Sequence, residues 1–181
     1  LAFTMFSFSD LIIRLFYTSK FIEADLSLKI LSIGMIFAVL YVINIKFFSG
    51  IGKPEINSIL VYTAATFNLI TNIVLIPIIG ILGAAISTTI SYFMMMIIGL
   101  IKIRKFIDIK FPFGIWIKTA LAGVLFILCI SFLKMILTLN VWIEAGIVLS
   151  LSILLYASLL FLLRIINFKE LFDLYDRIIK K

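Results

Sequence analysis

Histidine is absent, cysteine occurs once, at Cys129, and charged residues make up only 14% of the 181 positions. Without His and with one Cys, neither a disulfide framework nor a His/Cys metal site can be assembled from this chain. Cys129 sits in an apolar run and reads as a packing residue. The shortage of charge excludes more. A soluble domain carries about 25% charged and about 45–50% apolar residues, whereas here 64% are hydrophobic and the mean hydropathy is +1.30. That much apolar surface has a solvent only in lipid. Hydrocarbon then forces every backbone N–H and C=O to pair internally, which leaves helices or closed barrels. Barrel strands would alternate over segments of about 10 residues; the runs here are continuous and about 20 long, as membrane-spanning helices require. The net charge of +7 is not gathered on a basic soluble face, so nucleic acid is not the partner it implies.

The sequence predicts an all-α, polytopic bundle of transmembrane helices with about five complete spans and part of a sixth. Span A is Leu1 to Tyr17, interrupted by Asp10 and Arg14, and Thr18 to Ser27 is a polar loop. Span B runs from Leu28 to Phe48, the stretch Gly50 to Glu55 is punctuated by Gly and Pro, and span C is Ile56 to Ile76. Pro77 to Leu82 allows only a tight reversal into span D, Gly83 to Ile101. A basic connector, Lys102 to Gly114, precedes span E, Ile115 to Leu137; span F is Trp142 to Leu163. The chain opens on Leu, inside an apolar run with no basic leader, so it reads as the C-terminal part of something longer.

With the C-terminus inside, Arg14, Lys20, Lys29 and Lys134 lie outside and the other twelve of the 16 Lys and Arg lie in the cytoplasm, as the positive-inside rule demands. Trp116 and Trp142 then fall at span ends, where aromatic belts form. The bundle is expected to occupy 1–163. Beyond it, 164–181 repeats Ile165, Phe168, Phe172, Tyr175 and Ile179 at helical spacing, with Asp173 and Asp176 four residues ahead of Arg177 and Lys180. This is a cytoplasmic amphipathic helix lying on the membrane, either an anchor or a docking tail.

Polar residues inside the spans are the candidates for function. Asn68 and Asn72 share one face of span C, and lipid would leave their amides unsatisfied, so they are expected to face protein or a cavity. Gly80, Ala84 and Thr88 repeat at four, as do Gly83, Ser87 and Ser91, giving span D a surface for close helix packing. Pro77 is expected to end span C by withholding an N–H. Asp10 is the deepest identifiable acid, about two turns inside span A, and Arg14 four residues on can pair with it. Asn44 completes the set. Lys29, Lys46, Lys118 and Lys134 lie near span ends, where they can snorkel.

The string N-x3-N-x2-LIP-x2-G-x2-GAA-x-ST-x2-SY, from Asn68 to Tyr92, with the G-x-GKP loop at Gly50 to Pro54, resembles the C-terminal half of polysaccharide flippases of the O-antigen and teichoic-acid type. These belong to the multidrug/oligosaccharidyl-lipid/polysaccharide exporter superfamily. Ser87 departs from the Ala more usual there. The resemblance implies a transporter of 12 to 14 helices in two lobes around a central cavity. Its substrate would be an undecaprenyl-pyrophosphate-linked oligosaccharide, moved across the bacterial cytoplasmic membrane by alternating access. Its partners would be that lipid-linked oligosaccharide, membrane lipids and an N-terminal lobe of the same protein, with no cofactor, no metal, no catalysis and no nucleic acid. Candidates for the substrate pathway are then Asp10, Arg14, Asn44, Asn68 and Asn72.

Other readings stay open beside it. A peptidoglycan-precursor flippase or a multidrug antiporter of the same superfamily would share the layout, although no acid occupies the middle of spans B to F, where an antiporter would use one. A membrane polymerase or ligase would need a sizeable extracytoplasmic loop with paired carboxylates or Arg/His groups, and the loop around Lys20, Glu23 and Asp25 has no such constellation. A scaffold would have the Asn68 and Asn72 face fully packed.

Overall fold

The computed structural model describes residues 2–17, 21–108 and 113–136, and singly 146, 150–152, 154 and 158. The described residues form helices and turns without strands. The helices are α1 (Ala2–Phe16), α2 (Ala24–Gly50), α3 (Pro54–Ile79), α4 (Ile81–Ile103) and α5 (Phe113–Ile136). The last four are long and apolar enough to cross a membrane. At 1.5 Å per residue they reach roughly 35–40 Å, against a hydrocarbon core of about 30 Å. The chain is therefore a polytopic helical bundle. The amphipathic tail at 164–181 and most of span F lie outside the described residues.

Two compact units divide the chain, Leu1–Lys110 and Phe111–Lys181. In the first, α4 lies between α2 and α3, and α1 packs on α2. Its core is Tyr41 and Phe48 from α2, Leu60 from α3, and Met96 and Ile103 from α4. At one end the rings of Phe47, Phe48 and Phe106 cluster, with centroids 5.6 to 6.4 Å apart. In the second unit α5 buries Ala122, Phe126 and Ile130, one residue per turn of a single stripe. Cys129 is exposed on α5, contrary to the packing role expected; a small apolar side chain costs little on a surface that lipid can cover.

The two reversals of the first unit are built differently. After α2, Gly52 adopts φ +72°, Lys53 N–H donates to Phe48 O at 2.8 Å and Gly52 N–H to Ser49 O at 3.2 Å. This is a Schellman stop, and Pro54 then opens α3 at a position where no N–H is needed. The G-x-GKP loop is thus a stop signal joined to a start signal. Lys53 lies over the Phe106 ring, 4.7 Å from its centroid, so this turn and the end of α4 share one end of the unit. That end gathers Lys46, Lys53, Lys102, Arg104 and Lys105.

The second reversal departs from the sequence-based expectation. Pro77 does not end α3, which continues through it to Ile79. Proline this close to the C-terminus forfeits one hydrogen bond but leaves two residues helical. Gly80 alone makes the reversal, at φ 60° and ψ −140°, a conformation essentially reserved for glycine. The expected six-residue turn at 77–82 therefore shrinks to one residue. The polar loop is shorter than expected too: α2 starts at Ala24, because Asp25 at its first turn and Lys29 four residues on form an ion pair of 2.7 Å. Hydroxyls within the helices return to the i−4 carbonyl, as Ser32, Thr63 and Thr119 do at 2.8 Å, which satisfies them within their own helix.

Candidate functional site

The small residues of α4 meet α3 closely. A Cβ on Gly83 would lie 2.7 Å from the backbone of Leu75, so the two backbones approach to a distance that only glycine permits. Ser87 and Ser91 continue the stripe and are buried. Along it runs a polar seam. Ser87 Oγ donates to Thr71 Oγ1 at 2.6 Å, and Thr71 Oγ1 donates to Phe67 O at 2.8 Å. Beside that pair, Asn72 Nδ2 donates to Asn68 Oδ1 at 2.9 Å, and Asn68 Nδ2 reaches Thr88 Oγ1 at 3.4 Å, the outer limit of a hydrogen bond. Asn68 and Asn72 are half-buried, and Asn72 Oδ1 has no partner among the described residues.

Thr88 belongs to two structures at once. It accepts from Asn68 and also lines an open cavity of about 470 Å³ between α1, α2 and α4. The other walls are mostly apolar, with Ile13 from α1, Leu28 and Leu31 from α2 and Ile81, Ala84 and Ala85 from α4, and Ser27 adds a hydroxyl. Of the residues singled out in the sequence, Ala84 and Thr88 line this wall, and Asn68 and Asn72 on α3 connect to it through the Asn68–Thr88 contact. Gly80 lies one residue before the cavity's edge at Ile81, while Gly83, Ser87 and Ser91 serve the α3 contact instead.

The remaining candidates lie elsewhere. Asn44 is fully buried between α2 and α4; its Nδ2 donates to Met96 O at 3.1 Å, and a Cβ on Gly99 would fall on its amide. Its Oδ1 has no partner among the described residues. Asp10 is half-buried and Arg14 exposed on α1. Ser9, the residue before Asp10, is fully buried and its hydroxyl donates to Asp25 Oδ1. This part of α1 is thereby pinned to the first turn of α2, which brings Asp10, the next residue, to that end of α2.

The cluster of Ser9, Asp25 and Lys29 does not stand out in the sequence, where Asp25 falls in a polar stretch and Lys29 reads as a snorkelling end. The available signal is the Asp to Lys spacing of four. Asn57 also escapes notice there: its Nδ2 donates to Ile45 O at 3.2 Å, joining α3 to α2. Chemically the site offers amides, hydroxyls and an apolar chamber. Such groups bind and orient a polar or amphipathic solute, and they place no nucleophile beside a base.

Compared with known proteins, the chain is 34% identical over all 181 residues to an uncharacterized membrane protein of Methanocaldococcus jannaschii, of which it spans 36%. Over 124 residues, 66% of the chain, it is 30% identical to a protein of Haloferax volcanii named a probable low-salt glycan biosynthesis flippase, of which it covers 26%. The chain therefore spans about a third or less of the length of these relatives. No family model matches it, and no solved structure does.

Proposed function

We propose that this chain is the C-terminal lobe of a flippase that carries a lipid-linked glycan across the cytoplasmic membrane by alternating access. The observation that carries the reading is the amide and hydroxyl seam of α3 and α4, which reaches a cavity wall at Thr88, in a chain similar to a protein named as a glycan biosynthesis flippase. The substrate is stated as a lipid-linked glycan, the class that this relative's name suggests, rather than as an O-antigen or teichoic-acid unit.

The physical task explains the parts. A lipid tail can remain in the bilayer, but its sugars must cross about 30 Å of hydrocarbon, where each unpaired hydroxyl is costly. Half-buried Asn68 and Asn72 exchange hydrogen bonds with hydroxyls already in the seam, so a sugar hydroxyl can replace Thr88 or Asn68 as their partner. The base-rich end of the first unit faces the cytoplasm under the positive-inside rule, which puts Asp10 and Arg14 toward the outer face. An N-terminal lobe of the same protein closes the pathway from the other side. No covalent step is required.

The test is reconstitution in proteoliposomes with a fluorescent lipid-linked oligosaccharide, following its exposure to a membrane-impermeant quencher. Replacing both Asn68 and Asn72 by Ala is expected to slow translocation about tenfold or more, a barrier change of about 1.4 kcal/mol, with the fold retained. Cys at 68 or 72, in a Cys129→Ser background, is expected to react with an impermeant thiol reagent. A protein that exchanges drug cations for ions and leaves the glycan lipid in place would overturn the reading, as would sites 68 and 72 that never label in the folded protein.

A further inference from the structure

We infer that the cavity between α1, α2 and α4 is a binding site for one hydrocarbon chain of an anionic membrane phospholipid, with the lipid phosphate at Arg14. The inference rests on the bilayer reading and is independent of transport. At about 470 Å³ the cavity falls within the roughly 300–1,000 Å³ of small-molecule sites. Its walls at Ile13, Leu28, Leu31, Ala84 and Ala85 are apolar and its mouth is open, so a hydrocarbon chain can enter and cover them.

Position decides what fills it. The walls come from the first turns of α2 and α4 and the last turn of α1, so the cavity opens at one end of the unit. At that end Tyr17 and Phe21 stand exposed, ring edge to face at 6.4 Å, as aromatic side chains do at headgroup level. A chain entering there descends from the leaflet toward Thr88 while its headgroup stays level with Tyr17.

Charge and hydrogen bonding select the headgroup. Lys29 is engaged with Asp25, whereas Arg14 is exposed one turn before Tyr17 on the same helix face, and its guanidinium can fork onto a phosphate. Ser27 supplies a second polar contact. It lines the cavity, is 7% exposed, and its hydroxyl has no partner among the described residues. A fatty-ester or phosphate oxygen at the top of the chain would accept from it.

The test uses the protein in zwitterionic phospholipid vesicles carrying a trace of phosphatidylglycerol with a diazirine in one chain, followed by irradiation and mapping of the labelled peptides. Labelling is expected to concentrate on the end of α1 and the starts of α2 and α4. Unlabelled phosphatidylglycerol should compete better than phosphatidylcholine, and Arg14→Gln should erase that preference, about fivefold, while leaving chain insertion intact. Ala84→Phe should fill the chamber and abolish the concentrated labelling. Ile81→Trp, at a half-exposed wall position, does the same should Ala84→Phe fail to fold. Labelling spread equally over the outward faces of α3 and α5 would reduce the site to bulk lipid and overturn the inference. Equal competition by both phospholipids would overturn it as well, and so would preferential displacement by a polyprenyl phosphate. A chamber blocked by another segment of the protein would label in no lipid, and the inference would fail on that result too.

Discussion

The two seams that hold α4 in place differ in what fills them. Against α3, α4 offers Gly83, Ser87 and Thr88, and hydroxyls and amides cross the contact within a hairpin whose partners are 16 or 20 residues apart. Against α2, the contact is apolar apart from two single polar insertions. Asn44 meets Met96 O beside Gly99, and Thr89 Oγ1 donates to Ile30 O at 3.1 Å beside Gly34, partners 52 and 59 residues apart. In lipid there is no hydrophobic drive to bring helices together, so close fit and interhelical hydrogen bonds decide. Each seam carries two interhelical hydrogen bonds: those to α3 join side chain to side chain, which a solute can exchange, and those to α2 tie a side chain to a backbone carbonyl, which fixes register.

The sharpest way to break this contrast is at the backbone contact. Gly83→Leu, whose Cβ alone would press on the Leu75 backbone, is expected to cost about 3 kcal/mol or more as overpacking. Unfolding in mixed detergent micelles should show loss of folded protein, and an unchanged midpoint would contradict the close approach. Next, Gly99→Ala should cost about 1–3 kcal/mol by crowding the Asn44 amide, and Asn44→Ala should relieve part of that in the double variant. A double-mutant cycle with no coupling would deny that these residues meet. The smallest effect belongs to the α3 seam: Ser87→Ala should cost about 0.6 kcal/mol, the average of an interhelical hydrogen bond in a membrane. A cost as large as that of Gly99→Ala would erase the distinction between the two seams.

The same contrast explains what the sequence discloses. Spans B to E are legible because each is a continuous apolar run, and α2 to α5 match them with ends moved by a few residues. The α3–α4 face is legible because its small residues repeat every four positions within one hairpin. Gly34 and Gly99 are isolated, and their partners lie more than 50 residues away, so no periodicity announces them. Pro77 misleads because proline is read as a break, whereas three residues before Gly80 it costs one N–H bond while the N–H of Gly80 still closes the last turn on Ile76 O. The cavity is invisible in the sequence because its walls are drawn from three helices far apart in the chain, each contributing a few, mostly ordinary, residues. Ser27 and Asp25 have the composition of a loop, and only the extension of α2 to Ala24 turns them into a wall and an anchor.

A connection of one residue has a mechanical consequence. With Gly80 as the entire link, there is no spare chain to let α3 and α4 slide or part, and the backbone contact at Gly83 begins within one turn of it. In the proposed transport cycle the pair would move as one stiff lever. A displacement at the amides of α3 would then be handed directly to the cavity wall on α4.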